Sequence, residues 1–458
     1  GSREAESLVT DALEHFQSSA RKQKVTQFDA YAVSKRSRRV FVERGRVSGA
    51  DSTLSTGLHA RVCVGHKVGG AFCNSFDRES ISGCISEAVK VANLMEPDLK
   101  WAGFPSCDRR YPSVSGIYDK SVATLGVAVM RSMAEEMVDS AMSVSKDVSV
   151  PFGEVEAATR TLGITNSSGV DSMMTDTELR ATLNCVAGTG LSISPDCEGV
   201  GRSRDCGLRV DAVGERAGWL AHKSVHLVKA RTEEAEAVFS HRSIADTESG
   251  LLSVVLSKAL SGQSVLRNVS FLADRVGDQV WPENVTLSDN PLLSGRCGSR
   301  PFDDEGIPSR RTRLVDKGVL KGYLWDGSCG SASGEGSTGN AVRDTVSGAV
   351  SPAPLCLQLA AGRGSLESLV ESVDHGYLVW AGQGAHTSNT ETGEFSFVAS
   401  PAFLIEGGEV VGGVRGAMVS GNINDLMANV ERVGADVVDF GGALMPSVLF
   451  KDVRITTG

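Results

Sequence analysis

No histidine in this chain is followed by glutamate, and no two cysteines stand at C-x-x-C spacing. No apolar run approaches the ~20 residues that a membrane span requires. Each absence removes a class of function. A metallopeptidase of the H-E-x-x-H type needs two imidazoles one helical turn apart, with a glutamate to activate the metal-bound water. The eight histidines, His15, His59, His66, His222, His226, His241, His375 and His386, offer no such start. The nucleophile elbow G-x-S-x-G is missing too, so a serine-hydrolase triad has no anchor. Ten scattered cysteines, with no signal-peptide pattern at the start, lead to an expectation of reduced thiols and a cytoplasmic location. Positive charge is also scarce. A formal net charge of −10 and a pI near 5.4 give no footprint for neutralising phosphates, so nucleic acid is not an expected partner. The basic runs Lys35-Arg36-Ser37-Arg38-Arg39 and Ser309-Arg310-Arg311-Thr312-Arg313 are short and read as solvated faces of strands or turns.

What the chain does have is length and glycine. Its 458 residues exceed what one core usually organises, so two domains are expected, 3–210 and 211–458. Fifty-one glycines beside 5% aromatics suit strands and turns better than a helical bundle. Leu8, Ala12, Leu13 and Phe16 fall at helical spacing within 4–20, and helical patterns recur over 80–95, 120–143 and 213–237. Between them lie β-prone runs at 28–33, 39–42 and 60–64, and two strands joined by the hairpin turn Asn166-Ser167-Ser168-Gly169. Short strands separated by turns follow, among them 377–380, 395–398 and 402–405. The fold class is therefore α+β. The expected N-terminal unit has a mixed or antiparallel sheet flanked by helices, and the C-terminal unit is mostly antiparallel and barrel-like.

Candidate chemistry is sparse. His222 and His226 stand at i, i+4, but Lys223 lies between them and no carboxylate does, which favours an exposed helix face over a metal site. Gly334-Glu335-Gly336-Ser337-Thr338-Gly339 lacks the Lys-Ser/Thr pair of a phosphate loop and reads as a surface turn. Asp303, Asp304 and Glu305 are three consecutive carboxylates ahead of Gly306. They suit either a cation or peptide amine, or a loop that caps backbone N–H groups and pairs with Arg310, Arg311 or Arg313.

The order of these elements resembles a known family. Residues 299–311, carrying Asp303-Asp304-Glu305-Gly306-Ile307-Pro308, are similar to the D-D-E-G-x-P signature of the TldD/PmbA peptidases, also described as modulators of DNA gyrase. Ser337-Thr338-Gly339-Asn340-Ala341 resembles that family's S-T-G-N-A element, and 57–74, Ser270-Phe271-Leu272 and 389–395 also fit. The catalytic branch of the family carries H-E-x-x-x-H after paired leucines, with a C-terminal cysteine as a further zinc ligand. After Leu251-Leu252, this chain places Ser253 and Lys258 at the histidine positions and Val254 at the glutamate's. Its last cysteine is Cys356. A hydroxyl, an ammonium and an isopropyl group cannot hold zinc.

The resemblance thus implies the TldE/PmbA branch: a non-catalytic subunit with no cofactor of its own. Its partner would be a TldD-type subunit carrying zinc, in a heterodimer that trims unfolded or extended peptides. On that reading Asp303, Asp304, Glu305, Gly306, Thr338, Gly339 and Asn340 are candidates for cavity wall and interface. Two rival readings stand beside it. One is a self-sufficient metallopeptidase with a displaced site built from His222, His226 and the 303–305 carboxylates. The other is a peptide-binding homodimer, the form the isolated chain could adopt. The family's association with gyrase supplies no mechanism for an acidic chain to touch DNA.

Overall fold

The computed structural model describes residues 2–99, 101–107, 109–190, 192–246 and 250–457. The β-prone runs of the first half join into long strands. β1 (Phe28–Glu43), β2 (Arg46–Val64), β3 (Lys67–Cys73), β4 (Val148–Asn166), β5 (Asp171–Thr189) and β6 (Cys197–Ser203) form an antiparallel sheet in the order β3-β2-β1-β4-β5-β6. The β4–β5 turn forms as its composition predicts. Asn166 Oδ1 accepts from the backbone N–H of Ser168 at 2.9 Å and of Val170 at 3.0 Å.

Strand alternation puts one face of this sheet under helices. α1 (Ser2–Lys22) and α2 (Arg78–Leu94) bury Phe16, Ile81 and Ile85 against Ala30, Ala32, Leu58 and Ala60. Further along the same face, α3 (Val127–Val144) and α4 (Val210–Val225) cover Val40, Val42, Val155, Ala157 and Leu179. The helix expected over 120–143 is divided. A short turn, Lys120–Ala123, is capped by Asp119, and α3 starts afresh after Gly126. The pattern read as helix to residue 237 stops at Val225. Residues Glu233–Phe239 instead form β7, a strand flanked on both sides by partners. Glu and Ala favour helix there only weakly, and the pairing overrides them.

In the second half α5 (His241–Ala245) and α6 (Leu251–Ala259) are followed by β8 (Leu287–Asp289), β9 (Leu357–Leu359) and α7 (Leu366–Glu371). After them come β10 (His375–Val379), β11 (Ala402–Glu406), β12 (Ala443–Met445) and β13 (Val448–Thr457). β13, β7, β10 and β11 are neighbours in a large sheet that is antiparallel except for β7–β10. A second sheet contains β8, β9 and β12, with β9–β12 parallel. One core of this unit collects Phe239, Leu252, Leu256, Tyr377 and Phe450.

The boundary expected at 210/211 assigns α4 to the second unit. In the structure α4 lies against α3 and the first sheet, while its outer side meets the large sheet of the second. Trp219 packs on Phe403 with ring centroids 5.6 Å apart, and Val238, Leu378 and Ile405 join the same cluster. Each fully buried side chain of this size contributes roughly 1.5–3 kcal/mol, enough for a handful to bind the α4 layer firmly between the sheets.

Candidate functional site

The three consecutive carboxylates point inward. Asp303, Asp304 and Glu305 are 0–4% exposed, and each has a separate task. Asp303 Oδ1 accepts from the N–H groups of Glu305 and Ile307 at 3.0 and 2.9 Å, and Oδ2 from that of Ala341 at 2.9 Å. Asp304 accepts from Arg300 Nη2 at 2.5 Å and from the Arg343 N–H at 2.9 Å. Glu305 pairs with Arg61 Nη2 at 2.9 Å and accepts from the Gly327 N–H at 2.9 Å. Arg61 also grips Asp29, which Arg343 Nη2 reaches at 2.9 Å. The ion-pair partners of these carboxylates are Arg61 and Arg300, with Arg343 contributing its backbone N–H, rather than the Arg310, Arg311 and Arg313 considered from the sequence.

Asp29 and Arg61 belong to β1 and β2, and the other members to the second half, so the network ties the first sheet to the second unit. Beside it Phe302 packs with Leu162, Ile164 and Met174 on the face of the first sheet opposite the helices. The charges also balance. Three guanidinium groups face three carboxylates, Asp29, Asp304 and Glu305, and the fourth acid, Asp303, has no cation paired with it among the described residues. Burial tends to push Asp29 and Asp304 up. The arginines outweigh it and hold both carboxyls below their ordinary range. For Asp303, burial and the neighbouring Glu305 prevail over three N–H donors, and it is pushed up to about 7.

Gly306 and Gly339 are glycines for steric reasons. Both have φ of +76°. A Cβ on Gly306 would stand 2.3 Å from Val170 Cγ1, and one on Gly339 2.7 Å from the Pro308 carbonyl oxygen. Thr338 Oγ1 both accepts from the Trp325 N–H at 2.8 Å and donates to its carbonyl at 3.0 Å. Asn340 Nδ2 donates to Asp289 at 2.7 Å. The S-T-G-N-A element and the carboxylate loop are therefore adjoining turns, joined where Asp303 and Asp304 meet residues 341 and 343. The sequence reading missed Asp29, Arg61, Arg300, Arg343 and Asp289. An acid and a base inside the apolar runs of β1 and β2 were the available signal.

Ser253, Val254 and Lys258 lie on α6. Ser253 Oγ is spent on the Ala245 carbonyl at 2.8 Å, Val254 is half-buried, and Lys258 is exposed. These donors do not fit zinc. Among the described residues no group of three His, Cys, Asp or Glu side chains converges as a metal site would require. Glu248, just ahead of α6, lies outside the described residues. His222 Nδ1 is 3.2 Å from Asp147, and His226 follows α4 as its C-cap, so neither shares a partner with the 303–305 carboxylates. No helix among the described residues is long and apolar enough to cross a membrane.

A large antiparallel sheet under helices, a second β-rich unit and a buried D-D-E-G loop between them define a metallopeptidase-like architecture. Residues 232–457 match the model of the PmbA/TldA metallopeptidase C-terminal domain, and 28–92 that of metallopeptidase domain 1. The chain belongs to the PmbA/TldD family, with its likeness on the TldE/PmbA branch. It is 30% identical to an uncharacterised protein of Methanocaldococcus jannaschii, over 88% of this chain and 90% of that one. It is 24% identical to a metalloprotease PmbA homologue of Haemophilus influenzae, over 90% and 88%. The crystal structure of TldE from Thermococcus kodakarensis superposes with a TM-score of 0.87 at 27% identity, covering 98% of this chain and all of that one.

Proposed function

We propose that this chain is a subunit without catalysis of its own in a heteromeric peptidase, paired with a TldD-type subunit that carries the zinc. The observation behind this is the chemistry of α6. A hydroxyl bonded to a carbonyl, an isopropyl group and an exposed ammonium stand where the family's zinc ligands and general base would be. The chain then supplies cavity wall and interface for a partner that trims unfolded or extended peptides. The outer edge of β2 supports such a role. From 46 to 57 it pairs with β1 on one side and with no other described strand, since β3 begins its pairing at Leu58. An open edge of this kind accepts extended chains through main-chain hydrogen bonds with little sequence preference. The residues 303–306 and 338–340 would act in the assembly by holding this framework together.

Elemental analysis and a reconstitution assay test the proposal. The purified chain should contain no stoichiometric zinc and cleave no unstructured peptide. Adding a TldD-type partner should give a complex that trims the peptide and stops when a chelator is added. A transition metal bound stoichiometrically to the isolated chain, with chelator-sensitive cleavage, would establish the self-sufficient peptidase instead. Failure to form any complex with such a partner would leave the homodimeric scaffold.

A further inference from the structure

The face of the first sheet opposite its helices changes character along its length. At one end Leu162, Ile164 and Met174 lie under Phe302. Two residues further along the strands the same alternation brings up Arg160 on β4 and Asp176 on β5. The cover ends there, and the face opens into a groove of about 310 Å³. Five cations line it, Lys35, Arg160, Arg180, Arg202 and Arg204, against three carboxylates, Glu156, Asp176 and Glu178. A cationic surplus in a chain of net charge −10 is unusual.

The pairings show where the surplus sits. Lys35 is 3.1 Å from Glu156, and Arg202 is 3.1 Å from Glu178. Arg160 and Arg204 share Asp176, at 2.5 and 3.3 Å. Arg180 is different: it makes no close ion pair or hydrogen bond with any described residue, its charge being felt only at longer range by Glu154 and Glu156, and its Nε is buried without a hydrogen-bond partner. Its register neighbours are Glu156 on β4 and Arg202 on β6. A guanidinium beside another guanidinium, in a concave site and with unused donors, is matched by an anion.

We infer that this groove binds a carboxylate, taken by Arg180 with Arg202 beside it. A monoanion fits better than a phosphate dianion, because three carboxylates already line the walls and only one cation is unpaired. That a peptide bears the carboxylate, at its C terminus or on an acidic side chain, rests on the function proposed above.

The test uses the isolated full-length chain and titration calorimetry at low salt, where such contacts are least screened. The probes are an unstructured acetylated tetrapeptide with a free C terminus, its C-terminal amide, the amide carrying one glutamate, and inorganic phosphate. The free-acid peptide or the glutamate peptide should bind, the neutral amide should not, and the arm that binds identifies the source of the carboxylate. Arg180→Gln should weaken binding about tenfold, the loss of one charge-assisted contact, with an unchanged thermal transition because Arg180 makes no bonds to break. Arg202→Gln should weaken it as well. Equal binding of acid and amide, tighter binding of phosphate, no binding at millimolar concentration, or undiminished binding by Arg180→Gln would each overturn the inference. None of these outcomes bears on whether a TldD-type partner is activated, which the reconstitution assay reads separately.

Discussion

Replacing Arg61 by methionine should destabilise the chain severely, because the guanidinium neutralises two acids at once. Its side chain is 12% exposed, and those of Asp29 and Glu305 are 2% and 4% exposed. Methionine fills similar volume but leaves Glu305 with the Gly327 N–H alone, while Asp29 retains Arg343. Removing one partner of a buried pair typically costs 3–5 kcal/mol, since the orphaned charge keeps its desolvation penalty. About 4 kcal/mol is expected here, most of it from Glu305. The double variant Arg61→Met/Glu305→Gln removes the orphaned charge together with its partner. It should be more stable than the sum of the single effects by about 2 kcal/mol. Urea unfolding followed by near-ultraviolet circular dichroism measures both, with the shift in midpoint read at constant slope. A cost below about 1 kcal/mol for Arg61→Met, or simple additivity in the double variant, would show that the network is a surface-like ornament and not the tie between the two halves.

Other consequences can be checked in the same preparations. Gly306→Ala forces a side chain into left-handed backbone and against Val170, and should cost about 2–5 kcal/mol by differential scanning calorimetry. Asp303 binds its proton more tightly folded than unfolded, with a folded value of about 7. Its contribution is therefore favourable at low pH and is lost as pH rises from its unfolded value near 4 through 7. In Asp303→Asn the fall in unfolding free energy between pH 5 and 7 should flatten by about one proton's worth, whatever the absolute stability. Lys258→Ala should be silent, within about 0.5 kcal/mol, and should leave partner-dependent peptide trimming unchanged. Ser253→Ala should lose only the hydrogen bond to Ala245, about 1 kcal/mol, by the same urea titration.

Much of the first half was legible because its signals are local. The Asn166 turn, the helix expected over 80–95 and the β-prone runs at 28–33, 39–42 and 60–64 all follow from residues within a few positions of each other. The strand read as the end of a helix has a non-local cause. Glu233–Phe239 carries helix-compatible residues, and only β10 and β13, far away in the chain, make it a strand. The carboxylate loop was visible as chemistry but not as geometry. Asp303, Asp304 and Glu305 are adjacent in sequence, yet their partners come from positions 61, 300, 341 and 343. No spacing rule reaches from β2 to residue 305. The same holds for the cationic groove, whose members lie on β1, β4, β5 and β6 and, for Arg204, just past the end of β6, and share a face only once the sheet's register is set.

The packing of α6 shows why the fold does not depend on what stands at positions 253, 254 and 258. The helix packs through Leu251, Leu252, Val255, Leu256 and Ala259, positions i, i+1, i+4, i+5 and i+8, which line a single apolar face. Positions 254 and 258 lie off that face, and 253 sits at its margin, where its hydroxyl is satisfied by a carbonyl of the preceding helix. Packing constrains the first set strongly, because removing a buried leucine costs about 2–5 kcal/mol. It constrains the second set hardly at all. A helix arranged in this way can exchange imidazoles and a glutamate for serine, lysine and valine without disturbing the core behind it. The core of this unit then persists whichever side chains stand at those three positions.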